Sequence, residues 1–144
     1  MKKGFTLIEI LIVTAITIIL IAASFPMYEN FQKDSRLDIA RIELHENLKK
    51  VQAQAQAGVN DSSHGVYFNS NSYIAYQGNS YATRDTDYDI TYDVINNVII
   101  VNAPVEILFT KKTGLPASAV TVTLQNQIDS EQKTVEVNEI GLIE

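Results

Sequence analysis

The first residues that invite a chemical reading lie within ten positions of the start. Lys2, Lys3 and Gly4 are followed by Phe5-Thr6-Leu7-Ile8, and then comes Glu9, the only acid in an apolar window that runs to Phe25. A carboxylate at membrane depth costs on the order of 3 kcal/mol and normally needs a partner. A cut between Gly4 and Phe5 would create one: a new α-amino group, ionising near pH 8, one helical turn from Glu9. Other groups offer less. Asp85, Asp87 and Asp89 place carboxylates at alternate positions, a weak calcium pattern, because Ile90 stands where a calcium loop of the helix-loop-helix type needs Gly and no Glu follows at the right distance. On a strand, Asp87, Asp89 and Asp93 would line the wet face while Tyr88, Ile90 and Tyr92 face the core. His45 and His64 are isolated from any Ser motif, and neither a phosphate-binding loop nor H-E-x-x-H occurs, so no enzyme is expected and no cofactor is implied. The absence of Cys removes thiolate metal sites, disulfides and Cys nucleophiles together.

Charge limits the partners. A net charge of −6 argues against a protein held on nucleic acid by Lys and Arg. Tyr67, Tyr73, Tyr76, Tyr81, Tyr88 and Tyr92 could stack on sugars or single-stranded DNA, but a DNA-binding tip should be basic, and Lys111-Lys112 is the only cation pair after residue 58. Ordinary β-sheet packing accounts for these tyrosines more simply.

The elements that must position Glu9 can be read from periodicity. Residues 10–25 carry no charge, and a helix through residues 5–25 would be about 30 Å long, the thickness of a hydrocarbon core. With Lys2 and Lys3 before it, the single span places the N-terminus in the cytoplasm and the remainder outside. Ala22, Ala23 and Ser24 partly satisfy the small-residue rule of a cleaved signal peptide, and that alternative stays open. Beyond Pro26 the apolar residues become a stripe, Leu37, Ala40, Leu44, Leu48, Val51 and Ala55, which predicts an amphipathic helix. One helix over residues 6–57, stopped by Gly58, is expected, with a kink or local melt at residues 22–26 because Pro26 cannot donate to Ala22. From His64 the period changes to two. A hairpin is predicted from Val66 and Phe68 to residues 73–77 across a turn at 69–72, followed by strands near 88–94, 98–101, 105–109, 120–124 and 134–137. The fold class is therefore α+β: a long N-terminal helix packed on an antiparallel β head of six to eight strands.

The segment Lys-Lys-Gly-Phe-Thr-Leu-Ile-Glu-Ile at residues 2–10 resembles the class III leader of type IV pilins and type II secretion pseudopilins. The resemblance implies that a prepilin peptidase cuts after Gly4 on the cytoplasmic side and methylates the amine of Phe5. It also implies that Glu9 docks the subunit on its neighbour in a helical filament, and Pro26 falls where that superfamily often carries a proline. The C-terminal pattern, with residues 106–109, Thr113-Gly114, residues 121–124 and 134–137 and Gly141, resembles the H-type minor pseudopilins of the GspH/FimT family, more loosely than the leader does. The implied organisation is a leader at 1–4, a transmembrane and polymerisation helix at 5–26, an amphipathic helix at 27–58 and the β head at 59–144. The implied partners are other pilin or pseudopilin subunits, the prepilin peptidase, the inner membrane and its assembly platform. The subunit would sit in the inner membrane with its head outside, then in a periplasmic or surface filament, near the tip. Competence pseudopilins and major pilins share the leader. A signal-anchored or secreted β-rich binding protein is the rival of a different class, and it has no reason to keep Glu9.

Overall fold

The computed structural model describes Gly4 and residues 6–144, and for residues 23–34 the backbone alone. One α-helix, α1, runs Leu7–Ala57. Its start is capped by Thr6, whose Oγ1 accepts from the Glu9 N–H at 3.3 Å while its carbonyl accepts from Ile10 at 3.3 Å. Its end is set by Gly58, which takes the left-handed conformation at φ 63° that a side chain would disfavour. The chain divides into two compact units, Met1–Ser35 and Arg36–Glu144, so the second half of α1 belongs with the head. The bend expected around Pro26 falls where side chains lie outside the described residues.

Among the described residues no helix is long and apolar enough to cross a membrane. The apolar stretch with described side chains, residues 7–22, reaches only about 24 Å at 1.5 Å per residue, short of a core of roughly 30 Å. The described residues alone do not test the span expected over residues 5–26, because Phe5 lies outside them and residues 23–26 are described by backbone only.

In the head, the predicted stripe is the buried one: Leu37, Ala40, Leu44, Leu48, Val51 and Ala55 are all at most 6% exposed. Each buried Leu contributes about 1.5–3 kcal/mol of transfer free energy, which fixes the helix face. The antiparallel β head expected from the sequence forms as two sheets. Strands β1 (His64–Phe68), β2 (Ser72–Gln77), β3 (Asp85–Asp93) and β5 (Val105–Phe109) form the first, in the order β3-β2-β1-β5. Strands β4 (Val98–Ile100), β6 (Val120–Asn126) and β7 (Gln132–Val137) form the second, in the order β4-β6-β7. The stripe of α1 shares one core with Val66, Phe68, Ile107 and Phe109 of the first sheet and Ile100, Val122, Leu124, Val135 and Val137 of the second.

The predicted hairpin forms, with Phe68 opposite Tyr73, Val66 opposite Ala75, and the Asn69 N–H closing the turn on the Ser72 carbonyl at 2.8 Å. Two loops are tied back to the helix by one side chain: Gln52 Nε2 donates to the carbonyls of Gly114 at 3.1 Å and Gly141 at 2.7 Å. Both glycines have positive φ, 64° and 80°, and a Cβ on Gly114 would meet the Gln56 amide nitrogen at 2.7 Å. These two positions therefore need glycine for conformation and for close approach to α1.

One strand departs from expectation. Tyr88 and Ile90 are 50% and 44% exposed instead of buried, because β3 is an edge strand paired only with β2. Its register also shifts between Ala75 and Gln77, so the inward alternation of β3 is lost there. Only Tyr92 packs against the core, partly buried and stacked on Tyr73 at 5.2 Å.

Candidate assembly site

The site implied by the leader is built on the first turns of α1. Gly4 is exposed and a Cβ added there meets nothing within 4 Å, so the folded chain places no demand for glycine at this position. Phe5, the residue expected to carry the new amine, lies outside the described residues.

Glu9 is exposed and sits in the first turn, where the unpaired N–H groups of the helix start favour a carboxylate. Thr6 and Glu9 have the spacing of a capping box. The sequence reading overlooked Thr6, although the T-x-x-E spacing ahead of an apolar run was visible. The contact engages the Glu9 backbone N–H and not its carboxylate, so it gives the Glu9 side chain no local role of its own.

Around Glu9 the helix is apolar on every side. Leu7, Ile8, Ile10, Leu11, Ile12 and Val13 are each more than half exposed, and so are Ile16, Ile18, Ile19, Leu20 and Ile21. A helix apolar all round is ordinarily covered, by lipid or by other helices. The two polar side chains that interrupt it are already satisfied: Thr14 Oγ1 donates to the Leu11 carbonyl at 3.0 Å and Thr17 Oγ1 to the Val13 carbonyl at 2.7 Å. Hydroxyls folded back on their own helix leave no donor that water must serve. The segment is therefore suited to a water-free setting, with Glu9 as its single ionisable side chain within residues 7–22.

The head candidates resolve differently. Asp85, Asp87 and Asp89 do not converge. Asp89 is held by Arg84, whose Nε donates to both carboxylate oxygens at 3.0 and 2.8 Å, and Asp85 Oδ1 accepts from the Asp87 backbone N–H at 3.2 Å. Among the described residues no three His, Cys, Asp or Glu side chains are grouped to hold a metal ion. Asp89 is also half-buried rather than on a wet face.

The tyrosines are occupied with one another. Tyr67 and Tyr81 stack with centroids 3.9 Å apart, Arg84 lies over Tyr81 at 3.8 Å, and the Tyr76 hydroxyl donates to the Glu106 carboxylate, which also accepts from the Tyr81 N–H at 2.8 Å. On the other face, Tyr73 accepts from Asn47 Nδ2 at 2.8 Å, and burial pushes its phenol up to about 12. Arg84 and Glu106 organise this network. No local pattern marked either, because their partners come from strands brought together by pairing.

His45 is structural: its Nε2 lies 3.2 Å from the Ile143 carbonyl and its Nδ1 3.4 Å from Glu46. His64 is 6% exposed and its Nδ1 has no partner. Burial lowers its pKa, with the backbone of Ser62 working in the opposite direction.

Residues 1–25 match the family model described as the prokaryotic N-terminal methylation motif. Among solved structures, the chain is similar to the minor pseudopilin EpsH from the type 2 secretion system of Vibrio cholerae. The TM-score is 0.55 and the identity 13%, over 76% of this chain and 94% of that one. No curated protein matches the chain. The chain thus carries the methylation motif at its start and, behind it, the α+β fold of a minor pseudopilin.

Proposed function

We propose that this chain is a non-enzymatic minor pseudopilin, a structural subunit of a type II secretion or type IV pilus filament. In this reading a prepilin peptidase cuts between Gly4 and Phe5 and methylates the Phe5 amine. Residues 5–26 hold the subunit in the inner membrane as a single span, N-terminus in the cytoplasm and head outside, until the assembly platform passes it into the filament near the tip. The N-terminal helices of other pilin or pseudopilin subunits then replace lipid around the apolar segment. The observation that carries the reading is the start of α1: a glycine the fold does not need, then a helix exposed and apolar on all sides with one carboxylate in its first turn. The methylation motif over residues 1–25 and the likeness of fold to EpsH over 76% of the chain support it.

The place of Glu9 in the first turn of α1, where the helix dipole favours a carboxylate, favours a second reading, a plain signal-anchored protein in which Glu9 serves only its own helix. Glu9→Gln separates the two. Glutamine keeps the shape of the side chain but carries no charge. Under the filament reading the variant inserts, is cut after Gly4 and fails to crosslink to co-expressed pseudopilins. Under the anchor reading it behaves like the wild type throughout. N-terminal sequencing adds an independent check, since a mature start at Phe5 fits the filament subunit and a start near Phe25 or Met27 marks an ordinary signal peptide.

A further inference from the structure

The end of the head where α1 enters it carries a cavity of about 560 Å³. Arg36, the first residue of the head unit, lines it together with Asn71 of the β1–β2 turn, Asn96 and Asn97 of the β3–β4 connection and Gln127 just past β6. Val98 adds to its apolar part. Main-chain hydrogen bonds join these loops to one another. The Val94 N–H donates to the Asn71 carbonyl at 2.9 Å, and the Gln127 N–H donates to the Asn97 carbonyl at 2.8 Å. Asn97 holds the left-handed conformation, φ 68°, which asparagine tolerates better than most residues. The walls are therefore set by the backbone, and the polar side chains remain available.

Those side chains are not used by the fold. Asn47, Asn102 and Asn138 bond within the head, whereas the side chains of Asn71, Asn96, Asn97 and Gln127 make no hydrogen bond among the described residues. Exposed amides are ordinarily served by water, so the arginine is the decisive member. Of the three arginines in the chain, Arg41 donates to the Thr134 carbonyl at 3.1 Å and Arg84 pairs with Asp89. Arg36 is half-buried and has neither a hydrogen bond nor an ion pair among the described residues. No carboxylate lines the cavity, although the chain carries a net charge of −6. A guanidinium presents its donors as a planar fork that fits two oxygens of one anion. An amide offers a donor and an acceptor together, which is what a hydroxyl needs. No aromatic ring lines the cavity, so it has no platform for a nucleobase. The chemistry that matches is an anion joined to hydroxyls, in a volume typical of small-ligand sites.

We propose that this cavity binds a glycerophosphate, with Arg36 on the phosphate oxygens and the amides of Asn71, Asn97 and Gln127 on the remaining oxygens and hydroxyls. A phospholipid headgroup and a free phosphate ester both present this chemistry. Ten residues separate Pro26 from Arg36, so the cavity lies within about 35 Å of the end of the proposed span even if the chain between were fully extended. A headgroup is therefore within reach. The lipid source rests on the membrane span of the filament reading; the site itself does not.

The test uses the full chain, labelled with nitrogen-15, in dodecyl maltoside micelles, which hold no phosphate. The probe is glycerol 3-phosphate. The expected result is saturable shifts of the Arg36 Nε–H and of the side-chain amides of Asn71, Asn97 and Gln127, with those of Asn47 and Asn102 unmoved. Glycerol or chloride alone produces none of these shifts. Arg36→Gln weakens binding by about tenfold or more, the loss expected of a hydrogen bond to a charged group. Its unfolding temperature holds, because Arg36 has no partner to lose. A second arm places the chain in phosphatidylglycerol nanodiscs without added ester. With a headgroup as the source, the same resonances stand shifted from the outset and added ester moves them little. With a free ester as the source, they keep their micelle positions and titrate as before. A chain that does not enter nanodiscs refutes the span, and the micelle titration then decides the site alone. The absence of saturable shifts in both media overturns the proposal, as does equal binding by Arg36→Gln or an equal response to chloride.

Discussion

Gly65→Ala tests how tightly the outer face of the first sheet is packed. Gly65 lies opposite Tyr76 in the β1–β2 pair, and a Cβ there would come to 2.7 Å from the Tyr76 Cε1, with Cζ and the hydroxyl closer still. The glycine is needed for space, since its φ is not in the left-handed region. The ring cannot swing aside cheaply: Tyr76 is 2% exposed, its hydroxyl is bonded to Glu106, and that carboxylate also holds the Tyr81 N–H. Forced displacement costs about 1–3 kcal/mol for overpacking, and the weakened contact with Glu106 adds about 1 kcal/mol, for a total of about 2–4 kcal/mol. For a unit the size of Arg36–Glu144, 1 kcal/mol shifts the unfolding midpoint by about 4 °C, so Gly65→Ala should lower it by about 8–16 °C. Thermal unfolding of the full chain in micelles, followed by near-ultraviolet circular dichroism of the tyrosines, measures this directly. A double-mutant cycle with Tyr76→Leu should show strong coupling, because removing the ring removes the clash. A midpoint within about 2 °C of the wild type, or additive effects in the cycle, would refute the packing argument.

Four further outcomes are expected. Gly4→Leu should leave the stability of the head unchanged and accumulate full-length precursor in the membrane, read on a gel; normal processing would argue against a class III leader. Leu48→Ala, at a fully buried position of α1, should cost about 2–5 kcal/mol in chemical denaturation, and a cost below 1 kcal/mol would place Leu48 outside the core. Because burial holds the His64 pKa below 6.5, the unfolded chain takes up a proton that the folded one resists. Stability should therefore fall as pH drops below 6.5, by up to about 1.4 kcal/mol per unit, and level off below the folded pKa; His64→Gln should remove that component from a pH series. At the alkaline end the Tyr73 phenol is raised to about 12, so its contribution is complete below pH 10 and lost as pH rises toward 12; Tyr73→Phe should reduce that limb of the unfolding profile, the raised phenol of buried Tyr76 supplying the rest.

Local pattern accounts for much of this protein. The run from Gly4 to Glu9 and the uncharged stretch behind it mark the methylation-motif segment, because an acid in apolar sequence stands out without any knowledge of neighbours. The stripe from Leu37 to Ala55 specified the buried face of α1, since helical spacing alone decides which side chains share a side. The β1–β2 hairpin was legible for the same reason: its partners are close in sequence and its turn is short. Which strands are neighbours was not legible. A period of two says that Tyr88 and Ile90 share a face, but only the order β3-β2-β1-β5 makes β3 an edge and leaves that face uncovered. The same long-range pairing sets Glu106 beside Tyr76, lays Arg84 on Tyr81 and buries His64 without a partner for Nδ1. A side chain's exposure and hydrogen-bond partners depend on what the rest of the chain places against it. Residues far apart in sequence decide that, so the methylation-motif segment could be read from the sequence and the open, acidic edge of β3 appeared only with the tertiary structure.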